Sequence, residues 1–77
     1  MMIRDVTGTR SINPRYIDEI RIVTDRYDVT KRIVAYLHGG GAVTLRQVNT
    51  YDVAGADAYI SRQFELIEEM MNNAWHH

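Results

Sequence analysis

The sequence predicts an α+β domain: a small antiparallel sheet of three to five strands with one C-terminal helix laid across a face. Two observations carry this. Residues 32–38 and 42–48 are β-rich runs separated by Gly39-Gly40-Gly41, the pattern of a β-hairpin. From Val53 onward apolar residues recur every three or four positions, the period of a helix packed on one side. Strands gathered first and a helix last is the α+β order.

Met2 to Thr7 and Thr9 to Ile12 read as a first hairpin or bent strand turned at Gly8, which can take the positive φ of a tight turn. Asn13-Pro14 then punctuates the chain, since the proline fixes its own φ and biases Asn13 away from helix. In the run from Tyr16 to Thr24, Ile20 and Ile22 alternate with Glu19 and Arg21, the period of a half-buried strand. Asp25 to Lys31 is a loop or flared hairpin end, because Asp25 and Asp28 both favour turns. Across the glycine hairpin, Ile33, Ala35 and Leu37 alternate with Arg32, Val34, Tyr36 and His38, and Val43 and Leu45 alternate with Thr44 and Arg46. Val34 and Tyr36 make the second face only partly polar, so something is expected to cover it.

The helix is predicted from about Tyr51 to Asn73, capped by Thr50 or Asp52, with Val53, Ala56, Ile60, Phe64, Ile67 and Met71 facing the sheet. At 1.5 Å per residue that is roughly 33 Å, enough for a C-terminal overhang. A second set, Tyr59, Leu66, Met70 and Trp75, is read as the side of a broad core face or as a surface packed on another subunit.

These elements form one domain over residues 1–77, the sheet in 1–49 and the helix in 50–75. A chain this short buries only about 60 to 65% of its unfolded surface, so it holds one core. Apolar residues at 45% and charged residues at 25% are the proportions of a globular protein. No cysteine is present, which excludes a disulfide framework and thiolate zinc sites. No apolar run reaches the length of a membrane span or signal peptide, which makes the cytoplasm the default address. His76-His77 is set aside as a tag remnant or frayed end. The net charge of −1 provides no global field for nucleic acid, although eight basic residues stand against five acidic in residues 1–49 and one against five in residues 50–77.

The layout resembles that of small flagellar proteins of the FlbD or swarming-motility type. The matching stations are Met2-Ile3, Gly8, Ile12-Asn13-Pro14, Tyr16 to Ile20, the hairpin around Gly39 to Gly41, and Thr50 to Val53 opening the helix. The Asp25 to Lys31 segment has the look of an insertion, and three glycines replace a simpler turn. The resemblance implies the same fold and a binding or regulatory role without catalysis.

Enzymatic chemistry has little to work with: one internal histidine, His38, with Ser11 near a turn and Ser61 on the helix. Asp25 and Asp28 read as turn formers before a strand, and no spacing recommends a metal site, so neither catalysis nor a cofactor is expected. Three glycines bare backbone N–H groups at the His38-Gly39-Gly40-Gly41 tip, which an anion could approach with Arg32 and Arg46 on the same hairpin. Tyr36 with Arg32 and Arg46 is only a fragment of a nucleic-acid surface.

Two functions follow. The first is a non-catalytic regulator that binds a protein partner or itself, through the helix side (Tyr59, Leu66, Met70, Trp75) or the open sheet face (Val34, Tyr36). Phage-encoded inhibitors of host enzymes or defence systems share this small format. The second is a homo-oligomeric sponge for a nucleotide-like anion, with a pocket between subunits built from Gly39 to Gly41, His38, Arg32 and Arg46.

Overall fold

The computed structural model describes residues 2–27, 29–51 and 54–75. The α+β arrangement is as predicted. A first hairpin pairs β1 (Ile3–Arg4) with β2 (Ser11–Ile12), placing Ile3 opposite Ile12. A three-stranded antiparallel sheet follows in the order β3 (Ile17–Thr24), β4 (Thr30–Leu37), β5 (Ala42–Asn49), and α1 (Ala56–Trp75) ends the described chain.

Local chemistry explains the joints. Asn13 accepts the Arg15 N–H at 3.0 Å through its side chain, and Pro14 opens a single 3-10 turn, Pro14–Tyr16, that feeds β3. Asp25 accepts the Val29 N–H at 2.7 Å and closes the turn between β3 and β4. The β4–β5 connection uses Gly39, Gly40 and Gly41, all at positive φ of 86°, 106° and 91°, a run that residues with a Cβ adopt only with strain.

Two bulges decide which side chains face inward. The β3–β4 register shifts between Ile17 and Glu19, leaving Asp18 as the extra residue, so Ile17 and Ile20 share the inner face. The β4–β5 register shifts between Ile33 and Val34, so Leu45 and Arg46 together span one step of β4. Strict alternation had placed Arg46 outward beside Thr44. The bulge instead turns it toward α1, and keeps Val48 buried three residues after Leu45.

The core lies between the inner sheet face, the first hairpin and the helix. Ile3, Ile12, Ile17, Ile33, Ala35, Val43, Leu45, Val48, Ala56, Ile60 and Ile67 form it, with Ile20, Leu37, Phe64, Met70 and Met71 packed around them. No buried side-chain polar atom among the described residues lacks a partner.

The helix begins later than the periodicity predicts. Thr50 lies six residues before its first turn, where its N–H and hydroxyl both donate to the Val29 carbonyl, at 2.7 and 2.9 Å, fastening the end of β5 to the preceding turn. Gly55, at φ 77°, supplies the carbonyl that accepts the Tyr59 N–H at 2.9 Å and opens the helix instead. Asp52, Val53, Asp28 and His76-His77, which figure in the sequence reading, lie outside the described residues. No described helix is long and apolar enough to cross a membrane.

Candidate functional site

Two surfaces collect part of the residues singled out in the sequence. The first is the sheet face opposite α1. Register places Val23 beside Arg32, Arg21 beside Val34 and Glu19 beside Tyr36, and on the other side Gln47, Thr44 and Ala42 complete the three rows. Directly opposed residues of an antiparallel pair share a face, so these nine side chains form one surface. Val23, Val34 and Tyr36 make a half-buried apolar band outside the core cluster. The Arg21 guanidinium lies 5.6 Å from the Tyr36 ring centroid, a cation–π contact at an exposed site. Arg21 is also held at 3.1 Å by Glu19, and Arg32 acts on Asp25 from the same end of the sheet. Two guanidinium groups thus border an apolar strip.

The second surface is a cleft of about 330 Å³ where the glycine tip meets the first hairpin. Arg10, Asn13, Tyr16, Leu37, His38 and Gly40 line it. The His38 N–H donates to the Tyr16 carbonyl at 2.7 Å, which holds the tip against the 3-10 turn. The Gly40 N–H donates to the Leu37 carbonyl at 3.0 Å and so is already engaged in the turn. His38 Nδ1 stands 3.4 Å from Asp18 Oδ1, with side chains 78% and 53% exposed. Water competes freely for such a pair, unlike the buried carboxylate that orients a catalytic imidazole. Ser11 lines the same cleft, and Ser61 is far off on the exposed side of α1.

The tip and the two arginines read with it do not meet within one chain. Arg32 precedes His38 by six residues of extended strand, about 20 Å at 3.3 Å per residue. Arg46 is spent on structure: it donates to the Arg4 carbonyl at 2.9 Å, the Leu45 carbonyl at 2.7 Å and Gln63 Oε1 at 3.3 Å. The basic group that does reach the tip is Arg10. Nothing local marks it, since its position depends on how the first hairpin folds back on the sheet.

The helix-side set also divides. Leu66 and Met70 line a groove of about 280 Å³ beside Arg46, and Met70 packs on the core. Tyr59 is exposed on that flank. Trp75 is 59% exposed but lies about 160° round the helix from Tyr59 at 100° per residue, so it belongs to the opposite flank, toward β3. Among the described residues no three His, Cys, Asp or Glu side chains come together as a metal site would require.

No family model, curated protein or solved structure matches the chain.

Proposed function

We propose that this chain is a non-catalytic protein-binding module, a regulator that docks its partner on the outer face of the β3–β5 sheet. One observation carries the reading: an apolar band of Val23, Val34 and Tyr36 lies on the face turned away from the helix, bordered by Arg21 and Arg32. Apolar centres framed by arginine and tyrosine are the composition of binding hot spots. The fitting partner presents an apolar patch edged by carboxylates, which the two guanidinium groups can pair. The layout resemblance to small flagellar proteins leans the same way.

Val34→Glu places a charge at the centre of the band, and Tyr36→Ala removes its aromatic. Each variant is compared with wild type in capture of partners from host lysate, with circular dichroism as the folding control and Tyr59→Ala as a variant on the other layer. A protein lost with Val34→Glu and Tyr36→Ala but retained with Tyr59→Ala supports the reading. Equal capture by all four overturns it.

A second reading rests on the tip cleft, where Arg10, Asn13, Tyr16 and His38 surround a space large enough for a small anion. In this reading the ligand contacts Arg10 rather than Arg32 or Arg46. A calorimetric titration with a nucleoside monophosphate, repeated on Arg10→Ala, tests it; no heat with wild type removes it.

A further inference from the structure

We infer that β3 is a dimerisation edge: two copies of this chain pair their β3 strands antiparallel about a two-fold axis through Ile20. Among the described residues β3 is paired with β4 on one side only, and the first hairpin lies at the far end, where the Val6 N–H donates to the Thr44 carbonyl of β5 at 2.9 Å. Past the bulge at Asp18 the edge runs regularly from Glu19 to Thr24 without lysine or proline, a template for another strand.

The charges on this edge select the register. In an antiparallel pair of identical strands, directly opposite residues lie on the same face, so allowed registers centre on a single residue. Centring on Glu19 sets Glu19 against Glu19 of the second copy, and centring on Arg21 sets arginine against arginine. Centring on Ile22 brings Glu19 opposite Asp25. Each juxtaposes like charges, which destabilises a sheet. Centring on Val23 opposes Arg21 and Asp25, but calls on a carboxylate already bound to the Val29 N–H at 2.7 Å. Centring on Ile20 opposes Glu19 to Arg21 twice, by symmetry. The Glu19–Arg21 contact of 3.1 Å within one strand shows that the two side chains lie on the same side and are within reach of each other.

A notch at the same edge fits the same register. Ile20, Met71, Glu68 and Asn72 line a groove of about 190 Å³ between β3 and the C-terminal half of α1. With the axis at Ile20, the isoleucine of the second copy lies over that groove on the inner face. Both helices stay on one side of the six-stranded sheet.

The pairing also bears on the docking surface, and in this respect it rests on the reading above. Three strands of eight residues present a face of roughly 26 by 14 Å, about 370 Å². A standard interface needs about 800 Å² from each partner, so two copies side by side approach what one lacks.

The chain's lack of cysteine makes a direct test available. Ile20→Cys is expected to form a disulfide-linked dimer on mild oxidation, because its two copies face each other. Glu19→Cys, Arg21→Cys, Ile22→Cys and Val23→Cys report the other registers and are expected to stay largely uncrosslinked. By sedimentation, Glu19→Arg weakens the dimer by about tenfold or more, and Glu19→Arg/Arg21→Glu restores it. Circular dichroism confirms that each variant is folded, and both charged side chains are exposed. A wild-type chain that is monomeric at its highest soluble concentration overturns the inference, as does crosslinking at residue 19, 21, 22 or 23 in preference to 20. All of this is read on purified protein, so a dimer that captures no partner sinks only the docking reading, and a monomer that captures one through Val34 and Tyr36 sinks only the dimer.

Discussion

Arg46 on β5 donates to the backbone carbonyl of Arg4 on β1 at 2.9 Å, a bond between residues far apart in sequence that joins the first hairpin to the main sheet. The same guanidinium reaches Gln63 of α1 at 3.3 Å, so one side chain ties all three parts of the fold. Hydrogen bonds to a charged group contribute about 1.5–3 kcal/mol, and this one is partly open to water. Arg46→Ala should therefore cost about 1–2 kcal/mol and lower Tm by roughly 4–16 °C for a chain of this size. Arg46→Lys should recover little of this, because an ammonium lacks the planar fork that addresses two acceptors at once. Thermal melts of the three proteins decide the point. Equal Tm values would mean that the tie is not structural.

Lys31 holds the start of the helix. Its Nζ lies 2.6 Å from Asp57 Oδ1, and Asp57 also sits in the first helical turn, where a negative charge opposes the positive end of the helix dipole. The lysine is mostly covered and the aspartate mostly exposed, so the pair is weaker than a buried one. Asp57→Asn should cost about 0.5–1 kcal/mol in dilute buffer and less at high salt. A denaturant titration at two ionic strengths measures both. A loss that does not shrink with salt would assign the effect to packing instead.

The difference between Arg46 as read from sequence and as folded shows where legibility ends. The strands were readable because Ile33, Ala35, Leu37, Val43 and Leu45 alternate, and the glycine run between them needs positive φ. The helix was readable because Ala56, Ile60 and Ile67 recur on one face. A bulge leaves no such mark, since one extra residue changes the phase of a strand without changing its composition. Leu45 and Arg46 are adjacent, polar follows apolar, and only the buried Val48 two positions later betrays the slip. The helix start differs for a related reason: Thr50 is a good cap by residue type, but it closes the end of β5 on Val29, which the fold brings near, and the helix opens six residues later. The tip cleft was half visible. His38 and Gly40 are local to the hairpin, whereas Arg10 and Tyr16 arrive through tertiary contact.

Two turn carboxylates should give the fold an acid limit. Asp5 accepts the Thr7 hydroxyl at 2.8 Å and, chiefly for that reason, titrates below the ordinary carboxylate value; the Arg10 and Gly8 amides add to the effect. Asp25 is held down mainly by the Val29 N–H, with the Thr30 amide and Arg32 assisting. In both cases the folded-state value lies below the unfolded one, so the unfolded chain binds more protons near pH 4. The stability these groups contribute is full above about pH 4 and is lost as pH falls through the depressed values. Asp25→Asn should flatten the acid side of a stability profile and leave the neutral side parallel to wild type. A variant profile that keeps the full acid slope would show that other groups set it.

The glycine tip separates strain from contact. A Cβ added at Gly39, Gly40 or Gly41 would meet no atom within 4 Å, so substitution there costs only what the positive φ imposes. Gly41→Ala should then lose about 1–2 kcal/mol, the penalty of an L residue in left-handed backbone. Gly41→Asn should lose less, because asparagine tolerates that region better. Chemical denaturation of both variants tests the order. A larger loss with asparagine than with alanine would point to crowding at the tip in place of backbone strain.

Ile67 and Ile22 both belong to apolar patterns in the sequence, yet the fold values them differently. Ile67 is 1% exposed at the centre of the helix face, while Ile22 is 39% exposed on the edge strand despite facing the helix layer. Ile67→Ala removes fully buried carbon and leaves a cavity, for about 2–5 kcal/mol. Domains of this length stand near the lower end of about 5–15 kcal/mol in total stability, so that variant should be partly unfolded at 37 °C. Ile22→Ala loses only part of its burial and should cost about 1 kcal/mol. If β3 pairs with a second copy as inferred, the cost of Ile22→Ala should grow with protein concentration, because the edge is then covered. Urea titrations at low and high concentration distinguish the two cases, and a concentration-independent midpoint for both wild type and variant would place Ile22 on a permanently open edge.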